Sequence, residues 1–532
     1  MKDLRPEPGL REPEPLATSR ELFAALEAND LRYVHWKSNE HLRPALAGET
    51  DLDVLFDRLQ YQQVHRVLAA CGFKPFRTTA AAAYPGIEDH LAVDPETGRL
   101  VHCHAHFLLS VGERYLKGYR IPWEERFLAT ASVDPATGVR VADPALELAM
   151  LILRSALKLR GRDRAAAVAG RPALADDVWA EYEWLRARSG PDELSAIGRE
   201  LLDPEAATAL VALHGTRPTH RGLRRLRRLA RPRLEEWRTW SRSSGLRERW
   251  LREFRAARSA LNRGTLGRST PARRTVPRGG ILVAVLGADG AGKSTVVREV
   301  SNRLARKVDV MRLYFGSGDG PVSLLRSPLR PAARFARRHR LARSERGRGE
   351  DPRAGSPGAG IRVEAPVSTV PGSGPGHRAE PAVIRAGRIA WALSLAREKR
   401  ARLARAWRAR NRGLVVITDR FPQAQIAGFN DGPLLRDRAE TGGSLLRRAA
   451  RREERVYRLA ERQAPDLVIR LRVTPEVAVR RKPEMSASEV ERRDAAIGSL
   501  RWPSDTRVVD VDADRPLADV LRDTMVAIWR EI

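Results

Sequence analysis

Apolar and polar positions in the second half of the chain follow the periods of strands and helices in alternation. The run Ile281 to Leu286 is wholly apolar, and Val297, Val300 and Leu304 then recur at helical spacing. Such a run followed by an i, i+3, i+7 pattern indicates a buried strand that leads into a helix. Further strands are predicted at 414–418, 467–473 and 507–511, and helices at 382–410 and 517–529. This alternation predicts an α/β fold with a doubly wound parallel sheet.

The first half of the chain also has an α/β pattern, which begins at Ser19. Strands are predicted at 31–36, 51–56, 73–77 and 100–108, and helices at 21–28 and 60–71. From Asp143-Pro144 the pattern is helical, because Asp caps a helix and Pro suits its first turn. An apolar stripe of Leu146, Met150, Leu153 and Leu157 follows. We therefore expect an α/β domain over 19–140 and a helical domain over 141–215.

Residues 216–278 are strongly basic and contain Trp237, Trp240 and Trp250. This composition is typical of a nucleic-acid or membrane surface, or of an arginine-rich helical linker whose tryptophans pack. We favour the linker, since no fold signature of a nucleic-acid-binding module accompanies the charge. Two further segments, 1–18 and 326–381, are rich in charge, Pro, Gly and Ser, and we expect a disordered tail and a disordered insertion in a C-terminal domain over 279–532.

The composition limits the class of protein. The chain has 532 residues, a net charge of +30 and two cysteines. No apolar run reaches the length of a membrane helix or resembles a signal peptide, so we expect a cytoplasmic protein without a disulfide framework. The charge suits phosphorylated substrates and leaves nucleic acid open as a partner, although we do not expect it. The composition also does not decide whether the protein forms a homodimer.

The motif G-x-x-x-x-G-K-[ST] stands between the predicted strand at 281–286 and its helix. The loop is formed by Gly287, Ala288, Asp289, Gly290, Ala291, Gly292, Lys293, Ser294 and Thr295. Its glycines let backbone N–H groups converge on phosphate oxygens, Lys293 reaches the outer phosphates, and the Ser294 hydroxyl is a Mg²⁺ ligand. The motif in this context predicts that the chain binds ATP with Mg²⁺.

A second motif, Asp419-Arg420, follows the predicted strand at 414–418. The carboxyl edge of a parallel sheet is where ligands bind. Asp419 is therefore a candidate for Mg²⁺ and Arg420 a candidate for the phosphate of an acceptor.

The loop, the sequence TDRF at 418–421 and the run PDLVIRLRVTPEVAVRRK at 465–482 together resemble the thymidylate kinase family. The resemblance implies that Asp289 contacts the acceptor and that Asp419 and Arg420 serve metal and acceptor phosphate. It also implies a lid that supplies arginines to the transferring phosphoryl group. The candidates in that lid are Arg480, Arg481, Arg492 and Arg493.

The sequence leaves the acceptor open, because no residues that read thymine can be assigned. We expect transfer of the ATP γ-phosphoryl group to a phosphorylated small molecule, most simply a nucleoside monophosphate such as dTMP. A sugar or a precursor of a cell-surface polysaccharide is one alternative acceptor. A nucleotide-dependent binding or regulatory protein without transfer activity is the alternative from another class.

Around residue 35 the chain resembles the nucleotidyltransferase superfamily. Lys37-Ser38 stands where a Gly-Ser turn holds triphosphate, and Asp51-Leu52-Asp53 places two carboxylates on one strand face for metal binding. A third carboxylate would be expected on a later strand, yet the strand at 100–108 presents His102, His104 and His106 on one face. One of these imidazoles replaces the acid, or all three pack, or they hold a metal together. Whether this domain catalyses a reaction stays open.

Overall fold

The computed structural model describes residues 13–113, 115–159, 172–215, 217–264, 270–316, 382–427, 431–440 and 442–532. The chain divides into two compact units. The first contains Met1–Pro277 with Lys307–Asp309, and the second contains Arg278–Arg306 with Val310–Ile532. The predicted insertion at 326–381 lies outside the described residues, as do residues 1–12 of the predicted tail.

The first unit is built around a seven-stranded mixed sheet of order β3-β4-β5-β2-β1-β9-β8. Its strands are β1 Tyr33–His35, β2 Leu52–Phe56, β3 Lys74–Phe76, β4 Ile87–Val93, β5 Leu100–His106, β8 Ser132–Val133 and β9 Arg140–Val141. A separate hairpin consists of β6 Leu109–Glu113 and β7 Leu116–Ile121. β2 and β5 are parallel, with Asp53 opposite His104, so the candidate residues of these two strands are neighbours.

The helices of the first unit begin with α1, at Ala17, so the last two residues of the predicted tail belong to a helix. The helices are α1 Ala17–Ala28, α2 Leu42–Leu46, α3 Tyr61–Ala70, α4 Glu124–Ala129, α5 Pro144–Lys158, α6 Asp176–Arg186, α7 Pro191–Leu201, α8 Pro204–Ala212, α9 His220–Leu229, α10 Arg231–Glu236 and α11 Arg242–Gly264. As expected, the Asp143 carboxylate caps α5 by accepting a hydrogen bond from the Leu146 N–H.

One hydrophobic core joins the helical region to the α/β region of the first unit. It contains Val34 and Leu55 of the sheet, most of α5, and residues as far along the chain as Leu234. This core therefore crosses the boundary that the sequence predicted at residue 140. The prediction that the tryptophans of the basic linker pack is right for Trp237, which lies against this core, and wrong for Trp250, whose side chain is exposed.

The second unit has a five-stranded sheet of order β11-β12-β10-β13-β14 in which every pair of neighbours is parallel. The strands are β10 Ile281–Gly287, β11 Val310–Tyr314, β12 Val415–Asp419, β13 Leu467–Arg472 and β14 Arg507–Asp512. This arrangement confirms the predicted α/β class with a parallel sheet. The chain leaves β10 for the edge strand β11, returns to β12 beside β10, and then crosses to β13 and β14 on the other side. The carboxyl end of β10 therefore lies where the connections change direction, which is the place where ligands bind in such sheets.

The connections between these strands are helical wherever the structure describes them at length. They are α12 Lys293–Ala305, α13 Ala382–Asn411, α14 Arg436–Ala439, α15 Ser444–Arg462, α16 Pro475–Arg481 and α17 Ala487–Ser499. A last helix, α18 Leu517–Glu531, follows β14. The β strands are apolar and fully buried at Leu282, Val416 and Val468, so the sheet forms the centre of the core. Among the described residues of both units, no helix is long and apolar enough to cross a membrane.

Candidate functional site

The glycine-rich loop connects the end of β10 to the start of α12. Gly290 and Gly292 have φ angles of 88° and 81°, which glycine adopts without the steric cost that other residues meet. A Cβ atom on Gly290 would also lie 2.7 Å from the carbonyl oxygen of Ala478 on α16. Glycine is therefore required at position 290 by both conformation and space, and the close approach places α16 directly beside the loop.

Lys293 is the first residue of α12 and is buried. Its Nζ donates a hydrogen bond to the Ala288 carbonyl over 2.8 Å and lies 3.5 Å from Oδ1 of Asp289. Burial, together with the nearby charge of Arg420, lowers the pKa of Lys293 to about 8. An anion that enters the loop would favour the protonated amine and raise this pKa again.

Asp289 is the point at which the cations of the second unit converge. Its Oδ1 accepts a hydrogen bond of 3.0 Å from Arg420, and its Oδ2 is hydrogen-bonded by Arg493. Burial acts to raise the pKa of Asp289, but the charges of Lys293, Arg420 and Arg493 outweigh it and lower the pKa to about 2. A pocket lies among these four side chains and is also lined by Gly287.

Ser294 and Asp419 meet on the other side of the loop. The Ser294 hydroxyl donates to Oδ2 of Asp419 over 2.5 Å. Oδ1 of Asp419 is buried and has no hydrogen-bond partner within the described ranges. A hydroxyl and a carboxylate with one unsatisfied oxygen are the hard oxygen ligands that Mg²⁺ prefers, so these two residues fit the metal that the motif implies.

Arg420 is held in an uncommon backbone conformation at the end of β12. Its φ of 68° lies in the left-handed region, and its N–H donates to the Val285 carbonyl over 3.0 Å. The guanidinium, besides its bond to Asp289, lies 3.7 Å from Asp431. Strained backbone of this kind persists where surrounding contacts impose it, and it is concentrated at functional sites.

Asp431 is in turn held by Lys399 of α13. The buried Lys399 Nζ donates to the Asp431 carbonyl over 3.0 Å and lies 3.4 Å from its carboxylate. Sequence reasoning missed both residues. One signal was present: arginine is so dominant in this chain that a lysine inside the Arg/Ala-rich helix α13 is unusual. Asp431 offered no signal, since it lies in an irregular segment.

The arginines of the predicted lid divide into two groups. Arg493 of α17 contacts Asp289 and also bonds Glu489 over 2.6 Å. The other three are exposed and lie outside the group that contacts Asp289. Arg481 donates to the Ala513 carbonyl over 3.0 Å, Arg492 donates to the Ser488 carbonyl on its own helix over 3.3 Å, and Arg480 is on α16.

A second cluster of charged side chains surrounds Asp53 in the first unit. Oδ1 of this buried carboxylate lies 2.8 Å from Lys37 Nζ, 2.9 Å from His104 Nδ1 and 3.3 Å from His106 Nε2. Burial acts to raise the pKa of Asp53, yet Lys37 and the two histidines hold it well below its usual range. Asp53, His104 and His106 are close enough together to share one metal ion, for which Lys37 would compete.

His102 belongs to a neighbouring set. Its Nδ1 lies 2.7 Å from Asp51 and its Nε2 lies 2.9 Å from Asp89. The three imidazoles form a row, with ring centroids 5.8 and 4.4 Å apart. His104 and His106 share Asp53, whereas His102 contacts Asp51 and Asp89. Asp89 on β4 is a third carboxylate that the sequence analysis missed, because three consecutive polar residues follow Ile87 and β4 lacks a strand-like alternation.

Further cations lie near the Ser38 turn of the first unit. Ser38 has a φ of 59°, and its N–H donates to Glu181 over 3.2 Å. Burial, with the charges of Lys37 and Arg154 nearby, lowers the pKa of Lys117 to about 7. Like charges in a partly buried site disfavour each other's charged form, and an anion bound beside them would restore it.

Comparison with known proteins finds similar proteins over about half of this chain. No family model matches the chain. It is 27% identical over 250 residues to "Uncharacterized ATP-binding protein YghR" of Escherichia coli (strain K12), a match that covers 46% of this chain and 86% of that protein. It is 26% identical over 263 residues to "Uncharacterized ATP-binding protein YghS" of the same strain, covering 49% of this chain and 94% of that protein.

Among solved structures, the chain matches the "Crystal structure of APE1195" with 16% sequence identity and a TM-score of 0.19, over 48% of this chain and 97% of that one. A TM-score this low supports no conclusion about the fold. The chain is therefore similar, over about half its length, to proteins described as ATP-binding.

The lowered pKa of Lys293 predicts that ATP binding depends on pH. Above pH 8 the free amine is increasingly neutral, whereas bound phosphate requires the charged form, so binding takes up a proton. We expect ATP affinity to fall about tenfold between pH 7 and pH 9. Isothermal titration in buffers of different ionisation enthalpy measures both the affinity and the proton uptake.

The Lys293→Arg variant is the matched control, because arginine stays charged over this range. Its affinity for ATP should be lower than that of the wild type but independent of pH. Equal wild-type affinities at pH 7 and pH 9 would show that Lys293 does not face the phosphates.

Proposed function

We propose that the second unit is a thymidylate kinase-like phosphotransferase that moves the γ-phosphoryl group of ATP to a phosphorylated small molecule. The observation that carries this proposal is the convergence of Lys293, Arg420 and Arg493 on one carboxylate, Asp289. Phosphoryl transfer requires little covalent chemistry from the protein, and its transition state is stabilised mainly by positioned cations. An ion pair with only a structural role would need one cation beside Asp289 and not three.

The loop from Gly287 to Thr295 serves in this proposal as the phosphate-binding loop. It joins a buried strand to a helix N-terminus, where backbone N–H groups and the helix dipole favour an anion. Lys293 at the first turn of α12 would contact the outer phosphates of ATP. The similarity to two proteins described as ATP-binding agrees with this assignment.

The transfer breaks the bond between the γ-phosphorus and the β,γ-bridging oxygen, and forms a bond from that phosphorus to an oxygen of the acceptor phosphate. Both phosphates are anionic, so their approach must be compensated by charge. Arg420 would hold the acceptor phosphate and Arg493 would contact the transferring group. Each would then exchange its bond to Asp289 for a bond to phosphate.

Mg²⁺ would be held by Ser294 and Asp419 and would neutralise charge on the β- and γ-phosphate oxygens. The unsatisfied Oδ1 of Asp419 supports this assignment. Lys399 and Asp431 position Arg420, since the buried Lys399 fixes the carboxylate that the Arg420 guanidinium faces.

A nucleoside monophosphate is the acceptor that we propose, on the resemblance to thymidylate kinases. A sugar or a precursor of a cell-surface polysaccharide is the alternative acceptor, and its transfer reaction would use the same cations. Binding of ATP without transfer is the remaining alternative.

For the first unit we propose a second activity, metal-dependent nucleotidyl transfer. The observation that favours it is that acidic and basic side chains lie close together. The acidic side chains are Asp51, Asp53 and Asp89, and the basic ones are Lys37 and Lys117. Carboxylates would hold metal and the cations would hold triphosphate. Because Lys37 contacts Asp53, a metal ion and Lys37 compete for the same oxygen atom.

Arg493 rather than Arg492 should supply the cation for transfer, because Arg493 alone of this pair contacts Asp289. We expect Arg493→Ala to lower kcat by about 1,000-fold and Arg492→Ala by less than about threefold. Steady-state transfer from labelled ATP measures both, with exposed Arg298 on α12 replaced by alanine as a control for loss of charge. Equal losses in the first two variants would contradict the assignment.

A panel of acceptors should identify the substrate class. We expect labelled phosphate to move from ATP to a nucleoside monophosphate, and Lys293→Ala and Arg420→Ala to abolish this transfer. Transfer to sugars only would assign the alternative acceptor. ATP binding with no acceptor turned over by the wild type would reject kinase activity.

In the first unit, Asp51→Asn and Asp53→Asn should each abolish nucleotidyl transfer, because a neutral amide cannot replace a metal-binding carboxylate. Release of pyrophosphate from labelled nucleoside triphosphates measures the activity. Unchanged transfer in both variants would show that the site is elsewhere.

A further inference from the structure

Helix α11 packs against the rest of the first unit through its charged side. Arg252 is buried, donates to Glu248 over 2.8 Å and donates to the Ala83 carbonyl over 2.9 Å. Arg249 bonds Glu113 of β6 over 3.3 Å. Ordinary surface helices bury their apolar residues and expose their charges. In α11 the inward contacts are instead made by ion pairs and hydrogen bonds.

The outward side of α11 is apolar. Leu246, Trp250, Phe254 and Leu261 are 52%, 65%, 66% and 57% exposed. Their spacing of i, i+4, i+8 and i+15 places them within about 80° of one another around the helix axis, in a single stripe. Single exposed apolar residues are ordinary, but a continuous stripe of four large ones marks an interaction surface.

The charge beside this stripe is positive. Arg247 and Arg258 are exposed and lie next to the stripe around the helix axis. The helix sequence contains seven arginines and two glutamates. Of these acids, Glu248 is paired with Arg252, and Glu253 is half-buried. The outward side therefore combines large apolar groups with arginines and presents no exposed carboxylate of its own.

The positive surface continues past the N-terminal end of the stripe. A groove next to Leu246 is lined by Trp240, by Arg227, Arg238 and Arg242, and by one carboxylate, Glu113, which is paired with Arg249. Arg238 and Arg242 share the carboxylate of Glu235, so the arginines still outnumber the acids here. An aromatic ring beside several guanidinium groups matches the boundary of a bilayer, where indole rings lie at the level of the headgroups and arginines contact lipid phosphates.

We propose that α11 lies flat on an anionic phospholipid surface, with Leu246, Trp250, Phe254 and Leu261 inserted between the headgroups. A helix of 23 residues is about 34 Å long, and its apolar stripe would enter the lipid by about 5–10 Å. The arginines at its flanks would contact phosphate and carboxylate groups of the lipids. Nucleic acid would contact the arginines but would leave the apolar stripe exposed to water. A second protein chain would cover the stripe but would not require so many arginines beside it.

This inference goes beyond the proposed kinase activity and does not depend on it. It assigns to the protein a peripheral association with a membrane, in which the apolar stripe supplies insertion and the arginines supply selectivity for anionic lipid. Both contributions are required, so binding should weaken with salt and with loss of the stripe.

Sedimentation of the full-length protein with vesicles tests the proposal. We expect binding to phosphatidylcholine vesicles that contain about one third phosphatidylglycerol, and weak binding to phosphatidylcholine alone. The double variant Trp250→Ser/Phe254→Ser should lose at least about tenfold in partitioning. Leu59→Ser is the matched control, because Leu59 is 87% exposed but lies outside α11. Thermal unfolding and ATP affinity should be unchanged in both variants.

Two results would overturn the proposal. The first is wild-type protein that fails to sediment with the anionic vesicles, or a double variant that binds them as well as the wild type does. The second is a wild-type dimer in analytical ultracentrifugation that the double variant converts to a monomer without any vesicle binding. That outcome would make the stripe a contact between two copies of the chain.

Discussion

The balance of charge around one partly buried carboxylate determines the arrangement of the second unit's site. Asp289 binds Arg420 and Arg493 and lies beside Lys293, which come from three different elements of the fold. Without the carboxylate, these cations would repel one another in a partly buried pocket. Without the cations, a buried carboxylate would be protonated. Each side therefore stabilises the other until an anionic ligand replaces the carboxylate as the partner of the cations.

The parallel sheet explains how residues so distant in sequence meet. β10 delivers the glycine-rich loop, and its neighbour β12 delivers Asp419 and Arg420 at the same edge. β13, on the other side of β10, leads into α16, whose backbone contacts Gly290. The first unit uses a comparable principle, since the parallel pairing of β2 with β5 places Asp53 opposite His104. In both units, strand pairing brings together side chains that would otherwise repel or lack partners.

Motifs that depend on local backbone geometry could be predicted from the sequence. The glycine-rich loop can be predicted from a strand, a helix and glycines at fixed positions. The adjacent residues Asp419 and Arg420 can be predicted as candidates from their position at the end of a strand. The α5 cap at Asp143 is local in the same sense. Strand β4 was missed because its polar first half is satisfied by ion pairs rather than by the apolar core, as in the bond from Asp89 to His102.

Long-range contacts could not be predicted from one sequence. The role of Lys399 depends on Asp431, and the choice of Arg493 over Arg492 depends on which side of α17 faces the loop. The exposure of Trp250 depends on the ion pairs that turn the charged side of α11 inward, which no hydrophobic pattern indicates. These features are set by tertiary packing, which overrides the expectations that local composition supports.

The most direct test of the central claim is the affinity of the Asp289→Asn variant for ATP. If the Asp289 carboxylate holds the cations that phosphate binds, a neutral amide leaves those cations free. We expect the variant to bind ATP more tightly than the wild type in isothermal titration at pH 7. ATP binding that is weaker than in the wild type, or equal to it, would show that Asp289 does not compete with phosphate for these cations.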